Sequence, residues 1–175
     1  MTPASNGYSG LSIALHWIAA IAVVLLFVTH EGDRGSTQYA IHVGLGSLLG
    51  LAVLWRVLRR PLRGFAPKPD QPVLLNLVST LVLWAMLPAM LAVFLTGYFL
   101  PWSVGAPLDI LGLIEIPSPL ARSRDLHEAI EEIHDFAGHA LVPLVILHVL
   151  GALKHAIIDR DHVLQRMIRA ERGGH

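Results

Sequence analysis

Four long apolar stretches separated by polar links dominate the pattern of this chain. They run from about Leu11 to Thr29, Tyr39 to Leu58, Val73 to Leu100 and Ile133 to Ile158, the last with an amphipathic start that extends its helix back to about residue 126. Each reaches or approaches the roughly 20 apolar residues that a helix needs to cross a bilayer. The run LVLWAMLPAMLAVFLTGYFL shows no polar stripe, which argues against a soluble bundle. The pattern therefore predicts an all-α, integral membrane four-helix bundle, with residues 1–175 forming one domain.

The amino-acid composition limits which partners, cofactors and metal sites the protein can have. Apolar residues make up 54% of the chain and charged residues 15%, whereas a soluble domain carries about a quarter charged residues. The formal net charge is zero, so nothing favours a nucleic-acid partner. Because there is no cysteine, disulfides, thiolate zinc sites, cysteine-bound iron–sulfur clusters and thioether-attached haem are excluded. With ten histidines present, imidazole is the expected ligand of any buried metal.

The distribution of Lys and Arg predicts the orientation. Basic residues concentrate in the link after the second apolar stretch and in the C-terminal tail, whereas the other side carries only Arg34, Arg122 and Arg124. The positive-inside rule then places both termini in the cytoplasm. The first stretch lacks a basic n-region, so we expect it to remain as a helix rather than be removed as a signal peptide. Residues 101–124 face outward, and their mixture of Pro, Gly and apolar residues predicts an interfacial segment, as a short helix or a lid.

Four histidines in the apolar stretches are the candidate ligands. His134 and His148 lie fourteen residues apart, close to four helical turns, so they share a face at depths roughly 21 Å apart. Helix direction places His16 and His148 on the inner side, and His42 and His134 on the outer side. Ionisable side chains inside a membrane are costly and usually functional. Depth therefore pairs His42 with His134 and His16 with His148, as axial ligands of two haems b.

Spacing alone leaves competing ligands open. His127 and His155 continue the seven-residue step of the same face, and both lie among charged residues that suggest the interface. His139 is five residues from His134 and faces elsewhere on the helix.

Other residues near the histidines have two interpretations each. Gly44, Gly46 and Gly50 permit either close approach of a flat cofactor or helix packing through small residues. Arg56 lies fourteen residues after His42, where it would pair with a haem propionate or only snorkel to the interface.

The combined positions resemble those of the bacterial cytochrome b561 family, which belongs with the cytochrome b subunits of hydrogenases and formate dehydrogenases. The matching residues are Tyr8-Ser9, Leu15-His16-Trp17, Ile41-His42-Val43, Arg56, His134, His148 and His155, over nearly the whole chain. The resemblance implies a four-helix bundle in the bacterial inner membrane with two haems b, held by His16 and His148 on the inner side and by His42 and His134 on the outer side. It favours these four residues over His127 and His139.

The resemblance also implies a task, which is electron transfer between a periplasmic one-electron donor and the quinone pool. Some stand-alone members are similar to superoxide oxidases, which pass an electron from superoxide to ubiquinone. His155, Arg56 and Ser12 are then the candidate quinone contacts, and Arg122 and Arg124 would steer an anionic donor. One alternative is a cytochrome b anchor subunit that takes electrons from a separate dehydrogenase or hydrogenase. A second is a histidine-lined metal transporter, which the depth-matched pairing of the histidines disfavours.

Overall fold

Four long helices form the body of the protein. The computed structural model describes residues 9–63, 71–161 and 163–168, without the side chains of Arg56 and residues 59–63. The helices are α1 (Gly10–Val28), α2 (Thr37–Arg63), α3 (Val73–Ser103) and α4 (Arg124–Lys154), followed by a π-helical turn (His155–Asp159) and a 3₁₀ turn (Gln165–Met167). In this described part, four helical segments are long and apolar enough to cross a membrane. The predicted all-α membrane bundle is confirmed.

Local signals in the sequence explain where the helices begin and end. The Ser9 side chain accepts a hydrogen bond from the Ser12 N–H at the start of α1, and Ser123 does the same for Leu126 at the start of α4. The sequence predicted that the second helix ends near Leu58, where the charged residues begin. It continues to Arg63, because Arg and Leu are good helix formers and a helix does not have to end where the apolar run ends.

The helices pack through a small apolar core. Ala19 and Leu26 of α1, Val53 and Val57 of α2 and Phe94 of α3 form this cluster.

One glycine of α2 illustrates how closely α2 and α3 approach. A Cβ added to Gly50 would lie 2.8 Å from Tyr98 Oη and 2.9 Å from Phe94 Cδ1, both on α3. The Tyr98 hydroxyl donates a hydrogen bond of 2.7 Å to the Ser47 carbonyl one turn away. Of the two interpretations of Gly50, helix packing is therefore the one that the contacts support.

The segment between α3 and α4 is a β-hairpin, so the expectation of a short helix was wrong. Strands β1 (Leu108–Ile110) and β2 (Ile114–Ile116) pair antiparallel, with Leu108 opposite Ile116. The turn needs positive φ at Leu111 and Gly112, and the Asp109 carboxylate accepts a hydrogen bond of 2.7 Å from Gly112 N. Gly112 adopts its positive φ without strain, and the β-branched residues Ile110, Ile114 and Ile116 favour strands over a helix.

The hairpin lies against α2. A Cβ on Gly44 would overlap the Leu111 side chain and lie 2.8 Å from the Leu111 backbone nitrogen. The absence of a side chain at Gly44 therefore leaves room for the turn. We call this end of the bundle the hairpin end, and the end where α1 begins and α4 finishes the terminal end.

Candidate functional site

The first histidine pair lies toward the terminal end. His16 of α1 and His148 of α4 have ring centres 6.1 Å apart, with their planes inclined at 76°. Both side chains are half-buried. The Trp17 ring makes an edge contact with His16 at 5.8 Å. The structure therefore brings together the two residues that depth matching pairs at this level.

The second pair lies toward the hairpin end. His42 of α2 and His134 of α4 have ring centres 6.2 Å apart and planes inclined at 73°. Both are half-buried. α4 thus contributes one histidine to each pair, and the partners come from α1 and α2 respectively.

Hydrogen bonds orient the rings of the second pair. Nδ1 of His42 lies 2.8 Å from the Leu26 carbonyl oxygen, which can only accept a hydrogen bond, so the ring proton is on Nδ1. Nδ1 of His134 lies 2.9 Å from Thr96 Oγ1, whose own proton goes to the Ala92 carbonyl at 2.6 Å. Both Nε2 atoms then carry a lone pair, which is the arrangement of metal-binding histidines held by an outer hydrogen bond.

A glycine of α3 makes room for one of these rings. A Cβ on Gly97 would lie 3.3 Å from His134 Cε1, which is tighter than ordinary van der Waals contact. Gly97 and Thr96 together therefore fix the position of the His134 ring against α3.

The separation of the rings in each pair would allow both histidines to bind one metal. An imidazole nitrogen binds a metal such as zinc at about 2.0–2.1 Å, so two opposite ligands place their nitrogens about 4 Å apart and their ring centres about 6 Å apart. The observed separations are 6.1 Å and 6.2 Å. The residues present would therefore fit a b-type haem held by His16 and His148 at one level and by His42 and His134 at the other.

A third histidine pair was missed by the sequence analysis. His139 does point away from His134, but it faces His30, with ring centres 6.0 Å apart at 83°. Each Nδ1 hydrogen-bonds a carbonyl of its own segment, Phe27 for His30 and Asp135 for His139. Both side chains are exposed, unlike the four predicted ligands. The available signal was the interval from His16 to His30, which equals the fourteen residues from His134 to His148.

His127 is occupied by other partners at the hairpin end. Its Nδ1 lies 2.8 Å from Ser103 Oγ, which donates its own proton to the Leu100 carbonyl, so Nδ1 is the donor. Its Nε2 then accepts a hydrogen bond of 3.4 Å from the Arg34 guanidinium. With both nitrogens engaged, His127 is unsuited to bind a metal.

His155 lies in a charged cluster at the terminal end. It is buried, and its Nδ1 lies 2.7 Å from Asp161 Oδ2 and 3.0 Å from Asp159 Oδ2. The Lys154 ammonium bonds Asp159 Oδ2 at 2.5 Å. The His155, Asp159 and Asp161 ligand atoms lie within 4.8 Å of one another, close enough to hold a metal, and the Lys154 ammonium already bonds the Asp159 oxygen of this group.

The remaining predicted site residues are less fully described. Ser12 is half-buried in the first turn of α1, where its N–H bonds the Ser9 side chain. Arg56 lies on α2, but its side chain falls outside the described residues, so its contact with a cofactor stays a prediction. At the same end, the Trp17 indole donates a hydrogen bond of 2.9 Å to the Met167 carbonyl, which ties the C-terminal segment to α1.

Comparison with known proteins identifies the family of this chain. Residues 7–170 match the prokaryotic cytochrome b561 family. The chain is 30% identical to "Cytochrome b561 homolog 2" of Escherichia coli K12, over 92% of this chain and 90% of that protein. It is 25% identical to "Probable superoxide oxidase CybB" of Yersinia pestis, over 95% and 98% of the two chains. With membrane-length helices and a match along nearly its whole length, this chain belongs to the prokaryotic cytochrome b561 family and is a membrane-spanning b-type cytochrome that transfers electrons.

Proposed function

We propose that this protein carries electrons from a periplasmic one-electron donor to a quinone, using two haems b. His16 and His148 would hold the haem of the terminal end, and His42 and His134 that of the hairpin end. The observation that carries the proposal is that two half-buried histidine pairs, with ring centres 6.1 Å and 6.2 Å apart, lie at two depths of one bundle. Each haem, when bound, supplies a reversible one-electron centre.

Residues of this chain would bind each haem, orient its ligands and face the surrounding lipid. Neutral imidazoles hold the iron without adding charge to the membrane interior. Leu26 and Thr96 fix the rings of His42 and His134 so that each Nε2 points away from its hydrogen-bonding partner. The exposed aliphatic faces of the helices, including Val73 at 85% exposed and Leu51 at 66%, suit contact with lipid.

Charge supports an orientation with the hairpin end in the periplasm. Residues 29–38 and 101–135 at that end carry nine carboxylates and three arginines, a formal net charge of −6. The rest of the chain carries ten basic and four acidic residues, all between 56 and 70 or between 154 and 175, for a net charge of +6. The positive-inside rule counts basic residues, and three at the hairpin end against ten in the rest of the chain favour a cytoplasmic terminal end.

The negative charge of the hairpin end also affects which electron donors can approach it. Arg124, expected to steer an anion, is paired with Glu128 at 2.7 Å, and Arg34 bonds His127. A surface of net charge −6 repels superoxide and attracts a cation or a basic redox protein. A positively charged donor is therefore our first candidate. Superoxide is the second, favoured by the name of the Yersinia pestis relative.

A spectrum of the detergent-purified protein tests the core of the proposal. We expect low-spin b-type bands and, by pyridine haemochrome assay, two haems per chain. Addition of ubiquinone-1 to the chemically reduced protein should reoxidise them. One haem per chain, or no reoxidation by quinone, would contradict the proposal.

A charge-neutralised variant tests the donor. Glu131→Gln with Glu132→Gln removes two exposed negative charges from the hairpin end. If the surface repels anions, haem reduction by superoxide should become several-fold faster at low ionic strength, and the gain should vanish at high salt; removing two charges should give less than the 10- to 1000-fold effect of a whole steering field. An unchanged rate at low salt would show that the charge of this face does not select the donor.

A further inference from the structure

The exposed histidine pair, His30 with His139, lies outside the two proposed haem sites. His30 is in the turn that follows α1, and His139 is on α4. Their ring centres are 6.0 Å apart, with the planes inclined at 83°. Two imidazoles from distant parts of the chain therefore face each other at the surface of the bundle, where a small ion can reach them from water.

Hydrogen bonds give both rings of this pair the same tautomer. Nδ1 of His30 lies 2.5 Å from the Phe27 carbonyl oxygen, and Nδ1 of His139 lies 2.8 Å from the Asp135 carbonyl oxygen. A carbonyl can only accept, so the ring proton is on Nδ1 and the lone pair is on Nε2. The Phe27 ring also stacks on His30 at 5.0 Å and 18°. Histidines that bind metals are held in this way, with one nitrogen bonded to the protein and the other directed to the ion.

The surroundings of the pair favour a cation. Glu31 follows His30 directly, and Asp135 lies one helical turn before His139; both carboxylates are exposed. An ionised carboxylate is costly in hydrocarbon, so we expect water to reach this level of α4. Residues 29–38 and 101–135 carry a formal net charge of −6, which raises the local concentration of cations.

We propose that His30 and His139 bind one divalent transition-metal ion, of the zinc and copper class, at the hairpin end. Imidazole suits these metals, whereas magnesium and calcium prefer oxygen ligands. Two histidines on a tetrahedral zinc have ring centres about 5 Å apart, so the observed 6.0 Å closes by a small rotation of two exposed side chains. Water or the neighbouring carboxylates complete the coordination, and the ion links the end of α1 to α4.

A metal at this position would also act on the hairpin-end haem, a consequence that rests on the proposed function, whereas the binding itself does not. His30 is close enough to His42 and to His134 for a charge on its ring to act on both of them. A fixed positive charge nearby favours the reduced iron, which carries one positive charge fewer. The reduction potential of that haem should therefore become more positive when the metal binds.

A zinc titration tests the binding. Zinc has no redox chemistry of its own, so it leaves the oxidation state of the haems unchanged. Haem-loaded protein in detergent, treated first with a chelator, is titrated calorimetrically with zinc chloride. We expect wild-type protein to bind one zinc more than His30→Ala or His139→Ala, and the double variant to lose no more than either single variant.

A matched control separates this pair from the other cluster of ligand atoms. Asp161→Asn alters the group of His155, Asp159 and Asp161, so it should keep the zinc that the His30 and His139 variants lose. The same zinc content in wild type and in either histidine variant would overturn the inference. Loss of a haem from either histidine variant would also overturn it, since that residue would then be an axial ligand.

A redox titration of the same proteins tests the effect on the haem. Zinc should move one of the two haem potentials to a more positive value in wild type and in Asp161→Asn, and neither potential in His30→Ala. Zinc bound by the pair without a change in either potential would refute the effect on the haem. Fewer than two haems in the wild-type protein would instead overturn the proposed function.

Discussion

Replacing either member of the His42–His134 pair by alanine should remove one haem and leave one per chain. The two rings are 6.2 Å apart on different helices, and an iron centre that needs both axial ligands for its low-spin state is lost when either is missing. His16→Ala and His148→Ala should remove the other haem. Haem content by pyridine haemochrome assay, with the low-temperature α-band of the haem that remains, distinguishes the two losses.

Double variants make the pairing itself testable. The same-pair double variant, His42→Ala with His134→Ala, should still hold one haem, since both substitutions affect one site. The cross-pair double variant, His42→Ala with His148→Ala, should hold none. Equal haem content in the two double variants would refute the pairing.

The third histidine pair supplies a control with matched geometry. His30 and His139 have ring centres 6.0 Å apart, which the ring spacing alone does not distinguish from the proposed ligand pairs. Both side chains are exposed, so we expect His30→Ala and His139→Ala to retain two haems. Loss of a haem from either variant would move the ligand assignment to this pair.

The histidine pairing was predictable because a membrane constrains helices strongly. Consecutive spanning helices alternate in direction, so position along each span gives depth, and depth alone matched His16 with His148 and His42 with His134. The fourteen-residue interval on α4 then placed both of its histidines on one face. The structure brings the same residues together.

Features that depend on irregular backbone were not predictable in this way. The sequence placed His155 on the ligand face by its seven-residue step, but helical periodicity directs Asp161 elsewhere. Only the π-helical turn and the left-handed Arg160 bring the Asp161 carboxylate to His155. The hairpin was missed for a related reason, since three-residue strands are too short for an alternating pattern to be recognised.

His155→Gln should slow the reoxidation of the haems by quinone without changing their reduction by the donor. Glutamine is polar and of similar size, but it lacks the imidazole that is the candidate contact of a quinone oxygen. We expect two haems per chain and reduction by the donor at the wild-type rate, because His155 is not one of the proposed ligands. Reoxidation by ubiquinone-1 should fall by about 10-fold, the equivalent of losing one hydrogen bond to a quinone oxygen.

The control for this variant lies at the opposite end of the same helix. His127→Gln also replaces a hydrogen-bonded histidine, one that bonds Ser103 and Arg34 rather than a carboxylate pair. It should leave reoxidation unchanged, so a similar slowing in both variants would mean that general destabilisation of α4 is the cause. If His155→Gln instead lost a haem, His155 would be an axial ligand and the assignment of the terminal-end pair would be wrong. If it kept both haems and reacted with ubiquinone-1 at the wild-type rate, the quinone would have to bind away from the His155 cluster.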